Sequence, residues 1–175
     1  MNSIWVVHII RFILLLAFQV LILKGINLSE SQIQYVTIIV YPVAVLLLPI
    51  ALPQFFILVI SFCSGIFVDL FYGTIGVHAS ACLWMASVRP IVLKYLEPKS
   101  GYSVDQNPNS YNLGIFWFLQ YASLLMGVYI FCYFILEVFT FVYFGEILIK
   151  TLLSFVVSIF IIFICFKKLN SISFY

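Results

Sequence analysis

The fold turns on one stretch: Gln54-Phe-Phe-Ile-Leu-Val-Ile-Ser-Phe-Cys-Ser-Gly-Ile-Phe-Val-Asp69-Leu-Phe71, followed by Tyr72-Gly73-Thr74-Ile75-Gly76 and then Val77-His78. From Gln54 to Phe71 the only charge is Asp69, near the far end. An α-helix rises about 1.5 Å per residue and the hydrocarbon core of a bilayer is about 30 Å thick, so roughly 20 apolar residues cross it. The run is of that order and does not alternate between apolar and polar, which excludes a barrel strand. Pro53 marks its start, and Gly73 and Gly76 punctuate its end. A second run goes from Val77 to about Leu96. The pair reads as two membrane helices joined by a tight turn.

Outward from this hairpin, the chain keeps the same character. Of its 175 residues 65% are hydrophobic and 8% charged, with a mean hydropathy of +1.23. A soluble domain carries roughly 25% charged residues. The composition excludes a large soluble catalytic domain, a nucleic-acid reader and a secreted disulfide scaffold. The expected fold class is an all-α integral membrane protein, with residues 1–175 forming a single transmembrane domain. Further spans are expected over Ile4–Leu23, Ile33–Leu52 (interrupted by Pro42 and Pro49), Leu113–Val142 and Ile147–Phe166, making six. Pro, Gly, Asn and Ser dominate Glu97 to Tyr111, which reads as a polar loop. Cys63, Cys82, Cys132 and Cys165 all fall inside apolar runs and read as packing or lipid-facing residues. The first run lacks a basic leader and a cleavage site, so it is expected to stay in the mature protein.

Lys and Arg near the span ends set the orientation. Arg89, Lys94, Lys99, Lys167 and Lys168 fall on the side of the N-terminus, and Arg11 lies nearest that side. Lys24 and Lys150 fall opposite. The bias places both termini and the polar loop in the cytoplasm.

Ionisable groups in hydrocarbon need a partner or an exit. His8, Arg11 and Gln19 lie along one stripe of the first helix, and Arg11 can snorkel to the surface or face neighbouring helices. Ser61, Gly65, Asp69 and Gly73 recur every four residues and share a face on which small residues let another backbone approach. Asp69 reads as a helix-ending carboxylate, satisfied by backbone N–H groups of the Gly73–Gly76 turn or of the next helix. His78 follows that turn, and Glu137 falls late in the fifth helix. All three polar groups point to the same outer leaflet, which also admits a proton or cation path. Pro42 and Pro49 free carbonyls, as broken transporter helices do, but without matching inverted halves a packing kink is the preferred reading. Hydrolase, P-loop and metalloprotease motifs are missing. No catalytic residue, metal or cofactor is expected.

The segment Ser64-Gly65-Ile-Phe-Val-Asp69-Leu-Phe-Tyr-Gly73-Thr-Ile-Gly76-Val-His78 resembles the G-x-x-x-D-L…G-x-x-G signature of the rod-shape-determining membrane protein MreD family. Arg89-Pro90 and the polar loop that follow it resemble the Bacteroidetes-type form. Pro53 after the second span, Glu137 and the short basic tail are further points of likeness. The resemblance covers the chain in length and span count, but its specific motif covers only about residues 64–90. It implies a non-enzymatic subunit of the rod (elongation) complex in the bacterial inner membrane. Such a subunit helps maintain cell shape and lateral peptidoglycan synthesis by binding MreC, and through it MreB filaments and the glycosyltransferase–transpeptidase pair. It also implies a fold similar to the six-helix substrate-binding components of energy-coupling-factor transporters, so the alternative is a small-molecule-binding transporter component. For either, Arg11, Ser61, Gly65, Asp69, Gly73, Gly76, His78, Arg89 and Glu137 are the candidates for helix packing or a partner interface.

Overall fold

A computed structural model of the chain describes residues 2–27, 36–99, 101–102, 108, 113–138 and 144–172. Residues 33–35 and 139–142 of the expected second and fifth spans lie outside these, as does most of the polar loop. The side chains of His8, Cys165, Lys167 and Lys168 also lie outside the description. Most of the described residues are helical, with no strand among them.

Helix α1 runs Asn2–Phe18, passes through a π-turn at Gln19–Leu23, and ends with the helical turn Lys24–Asn27. The short α2 is Pro42–Leu46, and α3 is Gln54–Tyr72. Then come α4, Val77–Tyr95, α5, Ile115–Val138, and α6, Phe144–Ile172. Helices α3, α5 and α6 as far as Ile164 are long and apolar enough to cross a membrane, with mean hydropathies of 2.2, 1.8 and 2.7. The α1 segment Ile9–Leu23 is a shorter apolar helix.

Local chemistry sets the α3–α4 hairpin. Pro53 cannot donate and sits just ahead of α3, where its carbonyl accepts from the Phe56 amide at 3.0 Å. Gly73, at φ 70°, ends the helix in the left-handed conformation, and its N–H donates to the Asp69 carbonyl at 2.9 Å. Gly76, at φ 78°, opens α4 in the same conformation. Helix α4 packs between α3 and α5, and α5 packs in turn on α6. At the far end of α4, Trp117 Nε1 donates to the Leu96 carbonyl and the Tyr102 hydroxyl to the Leu93 carbonyl, both at 2.8 Å. The described start of the polar loop is thereby folded back onto the helix.

Where the second span was expected, the backbone is not one continuous helix. Residues 36–40 are non-helical, α2 lasts five residues, and turns fill Leu47 to Leu52. Two prolines explain this, because neither Pro42 nor Pro49 can donate to a helical ladder. Yet this segment is the centre of the protein. Ile39, Val40, Tyr41, Val45 and Leu46 are at most 1% exposed. It contacts α1, α3 and α5 through α2. A broken backbone at membrane depth is tolerable where protein buries it and supplies its hydrogen bonds.

Candidate functional site

The buried segment defines the site, because its free amides and carbonyls must be satisfied by side chains. Gln19 is fully buried at the opening of the π-turn. Its Oε1 accepts from the Val40 amide at 2.8 Å and the Tyr41 amide at 3.3 Å. Its Nε2 donates to the Ile38 carbonyl at 3.1 Å and to the Tyr72 hydroxyl at 2.8 Å. One carboxamide thus serves both sides of the broken backbone. A π-turn inside an α-helix is a recurrent feature of functional sites, and here it falls at this residue. From α6, Ser154 Oγ accepts from the Thr37 amide at 2.9 Å, and Ser158 Oγ from the Ile39 amide at 3.1 Å. The serines stand four apart on α6 and serve amides two apart on the segment.

Ser158→Ala should leave the Ile39 amide unpaired in an apolar interior. The expected loss is about 1 kcal/mol, since interhelical hydrogen bonds in membranes average ~0.6 and an orphaned amide raises the cost. A thermal unfolding midpoint in detergent unchanged from wild type would show that this amide finds another partner.

Two polar clusters flank the segment along α4. The first lies at the α3–α4 turn. Asp69 Oδ1 accepts from the Thr74 hydroxyl at 2.5 Å and from the His78 amide at 3.0 Å, and Oδ2 accepts from the Ala79 amide at 3.0 Å. The carboxylate therefore caps α4 from across the turn, where its charge also complements the helix N-terminus. The fully buried His78 places Nδ1 2.6 Å from the Tyr129 hydroxyl, which lies 2.9 Å from that of Tyr41. Four tyrosine rings, Tyr41, Tyr72, Tyr129 and Tyr133, surround the imidazole with centroids 4.8 to 6.4 Å away. Its Nε2 is buried with no hydrogen-bond partner among the described residues.

The second cluster is centred on Arg89, 1% exposed. Its Nε donates to the Tyr121 hydroxyl at 2.7 Å and Nη2 to the Leu48 carbonyl at 2.5 Å. Tyr121 donates onward to the Leu46 carbonyl at 3.2 Å. Both carbonyls belong to the C-terminal end of α2, where a helix presents partial negative charge. The guanidinium thus holds the end of the broken segment through neutral partners among the described residues.

The remaining candidates divide between the interior and the surface. Ser61 and Gly65 are buried on the α3 face that meets α4, and Ser61 Oγ donates to the Ile57 carbonyl at 2.6 Å. A Cβ built on Gly65 would stand 2.3 Å from Ala79 Cα, so two backbones touch there. The small-residue face is spent within the chain, against its own α4. Gly73 and Gly76 shape the turn. Glu137 is exposed on α5, with the Tyr133 hydroxyl 3.4 Å from Oε1. Arg11 is half-buried on α1. Of the four cysteines, Cys82 is buried and its thiol lies 3.6 Å from the Tyr41 hydroxyl, while Cys63 is exposed.

Sequence reasoning did not single out Tyr41, Tyr121, Tyr129, Ser154 or Ser158. The serine pair left a visible signal, two hydroxyls four apart on one face of an otherwise apolar helix. The tyrosines left none, because aromatic residues are 19% of the chain. No protein-family model, curated protein or solved structure matches the chain.

Proposed function

We propose that the chain is a non-enzymatic scaffold subunit of the rod complex in the bacterial inner membrane. In this reading it binds MreC and so acts on MreB filaments and the glycosyltransferase–transpeptidase pair that builds lateral wall. One observation carries it: Gly65, Asp69, Gly73 and Gly76, the residues of the MreD-like signature, are all used to lock the α3–α4 hairpin. Such a motif preserves a shape rather than a reaction, as a docking subunit requires. In the same reading α1, the broken segment and α4 complete six passages with α3, α5 and α6. Both termini and the 97–111 loop then face the cytoplasm, following the basic-residue bias.

A second reading, a small-molecule-binding membrane component of a transporter, draws on the unpartnered His78 Nε2 inside its cage of tyrosines. A binder needs a few convergent polar groups, and this is the place where one is left over.

One experiment separates the two. Depleting the chain in its native host should turn rods into spheres, and an affinity-tagged chain should copurify the MreC-type protein of that host. His78→Phe, which removes Nε2 and keeps an aromatic ring, should leave both results unchanged if it folds by thermal melting. Rods that persist after depletion, with no such copurifying protein, refute the scaffold reading.

A further inference from the structure

The protons between α4 and the broken segment can be counted. The Tyr41 hydroxyl lies 3.5 Å from the His78 carbonyl oxygen, which can only accept, and 2.9 Å from the Tyr129 hydroxyl. The Tyr129 hydroxyl in turn lies 2.6 Å from His78 Nδ1. Each tyrosine has one proton to give. If Tyr41 donates to the carbonyl, Tyr129 must donate to Tyr41, since otherwise two oxygens would face each other with no proton between them. Nδ1 must then carry a proton and donate it to Tyr129. The three contacts close into a ring that begins and ends on His78. The Cys82 thiol, 3.6 Å from the Tyr41 hydroxyl, donates to the remaining lone pair of that oxygen. The reverse order places the imidazole proton on Nε2. It gives up the contact with the carbonyl and buries an N–H without an acceptor. Orphaned buried N–H groups are rarer in folded proteins than acceptors short of a donor.

The count leaves Nε2 as a bare lone pair, fully buried and without a hydrogen-bond partner among the described residues. Its surroundings suit a positive charge. The rings of Tyr133, Tyr72 and Tyr41 have centroids 4.8, 5.0 and 5.8 Å from that of the imidazole, within the reach of cation–π attraction. The Asp69 carboxylate, 4% exposed, accepts from the Thr74 hydroxyl and from the His78 and Ala79 amides, all of them neutral donors. An imidazolium on the residue whose amide Asp69 holds would balance that buried charge. The titratable groups around the imidazole come from several elements: Asp69 and Tyr72 from α3, Cys82 from α4, Tyr129 and Tyr133 from α5, and Tyr41 just ahead of α2. Beyond Tyr133, its hydroxyl reaches the exposed Glu137 at 3.4 Å, and Lys150 of α6 acts electrostatically on Glu137. Helix α1 adds only the neutral Gln19, through Tyr72.

We propose that His78 is a proton-binding site, at which Nε2 takes up and releases a proton inside the tyrosine cage while Nδ1–H holds Tyr129 in both states. The proton comes from solvent, the Nε2 lone pair becomes an N–H bond, and the imidazole becomes an imidazolium. No other bond forms or breaks, because the ring of hydrogen bonds already runs in the direction that the charged form requires. The site is independent of both functional readings, since it concerns the charge that the α3–α4 hairpin carries and not what docks on it.

Nitrogen-15 NMR of the full-length protein, labelled at histidine and held in detergent, tests this. The chain has two histidines, and His78→Phe identifies the signals of the other. In wild type at about pH 8, couplings to the ring protons should mark Nδ1 as protonated and Nε2 as bare, with this tautomer favoured about tenfold or more. Towards about pH 4, Nε2 should gain a proton while Nδ1 keeps its own. Tyr129→Phe removes the acceptor of Nδ1–H and should shrink the tautomer preference by about tenfold. A wild-type imidazole protonated at Nε2 at about pH 8 overturns the proposal, as does an unchanged tautomer ratio in a folded Tyr129→Phe protein. An Nε2 that stays bare until the chain unfolds also overturns it, and makes His78 a hydrogen-bond donor with a structural role alone.

Discussion

Gly65→Leu should prevent the α3–α4 hairpin from closing and leave little folded protein to purify. The reason is geometric. A Cβ at position 65 would lie 2.3 Å from Ala79 Cα, 2.6 Å from Ala79 N and 2.9 Å from the His78 carbonyl carbon. Carbon atoms in contact sit about 3.5–4.0 Å apart, so the two backbones must separate by more than about 1 Å. All three struck atoms are backbone, and no change of rotamer relieves the collision. The struck residues are also those whose amides bond to Asp69 at 3.0 Å, so separation breaks the cap as well. Overpacking alone costs about 1–3 kcal/mol, and the lost cap adds to it. Gly65→Ala already carries this Cβ and should lose more than the overpacking range alone, and Gly65→Leu more again. Gly127→Ala is the control, since its Cβ would meet the Phe155 ring at an ordinary 3.7 Å. Helix propensity favours alanine there by about 1 kcal/mol, so that variant should melt no lower than wild type. Size-exclusion profiles after graded heating in detergent read all three. A Gly65→Leu protein as stable as Gly127→Ala would show that α3 and α4 are not in backbone contact.

The hairpin was legible in the sequence because its determinants are local. Small residues four apart, a carboxylate and two glycines state their geometry within one stretch, and the ends of α3 and α4 fall within a residue of where the pattern puts them. The broken segment was not legible as such. Hydropathy reports how apolar a run is, and 36–52 is as apolar as a span because it is buried by protein instead of by lipid. Its prolines indicated an interruption. What makes an interruption affordable lies elsewhere in the chain, in Gln19 and in Ser154 and Ser158, more than a hundred residues downstream. Arg89 shows the same limit. Its position beside Pro90 reads as a basic residue near a span end, whereas its partners Tyr121 and Leu48 are brought to it by α5 and by the end of α2. Periodicity identifies the face of a helix on which a residue lies. It does not identify the backbone that face has to satisfy.

Asp69 gives the sharpest division between a structural and a chemical role. Its two oxygens accept three hydrogen bonds, from Thr74, His78 and Ala79. Asp69→Leu leaves all three donors unpaired and removes the charge at the start of α4. The expected cost is about 3–5 kcal/mol, from orphaned donors at about 1–3 kcal/mol each that do not add fully. Asp69→Asn is not neutral either. Its carbonyl oxygen can keep the Thr74 and His78 bonds, but its amide nitrogen then faces the Ala79 N–H, donor against donor. It should lose about one charged hydrogen bond, roughly 1.5–3 kcal/mol, and melt between wild type and Asp69→Leu. On the proposed scaffold function, if Asp69 only holds the turn, cell shape should follow stability through this series, and an Asn variant that folds should support rods. If Asp69 carries a proton or a cation, Asn should fail as completely as Leu in cells while remaining folded, inserted and bound to its partner, because an amide cannot titrate. The capped geometry favours the first outcome, since every oxygen is already committed to backbone or to Thr74 within ten residues of chain. A folded, partner-bound Asp69→Asn protein in spherical cells would reverse that conclusion and return weight to His78 and its unpartnered nitrogen.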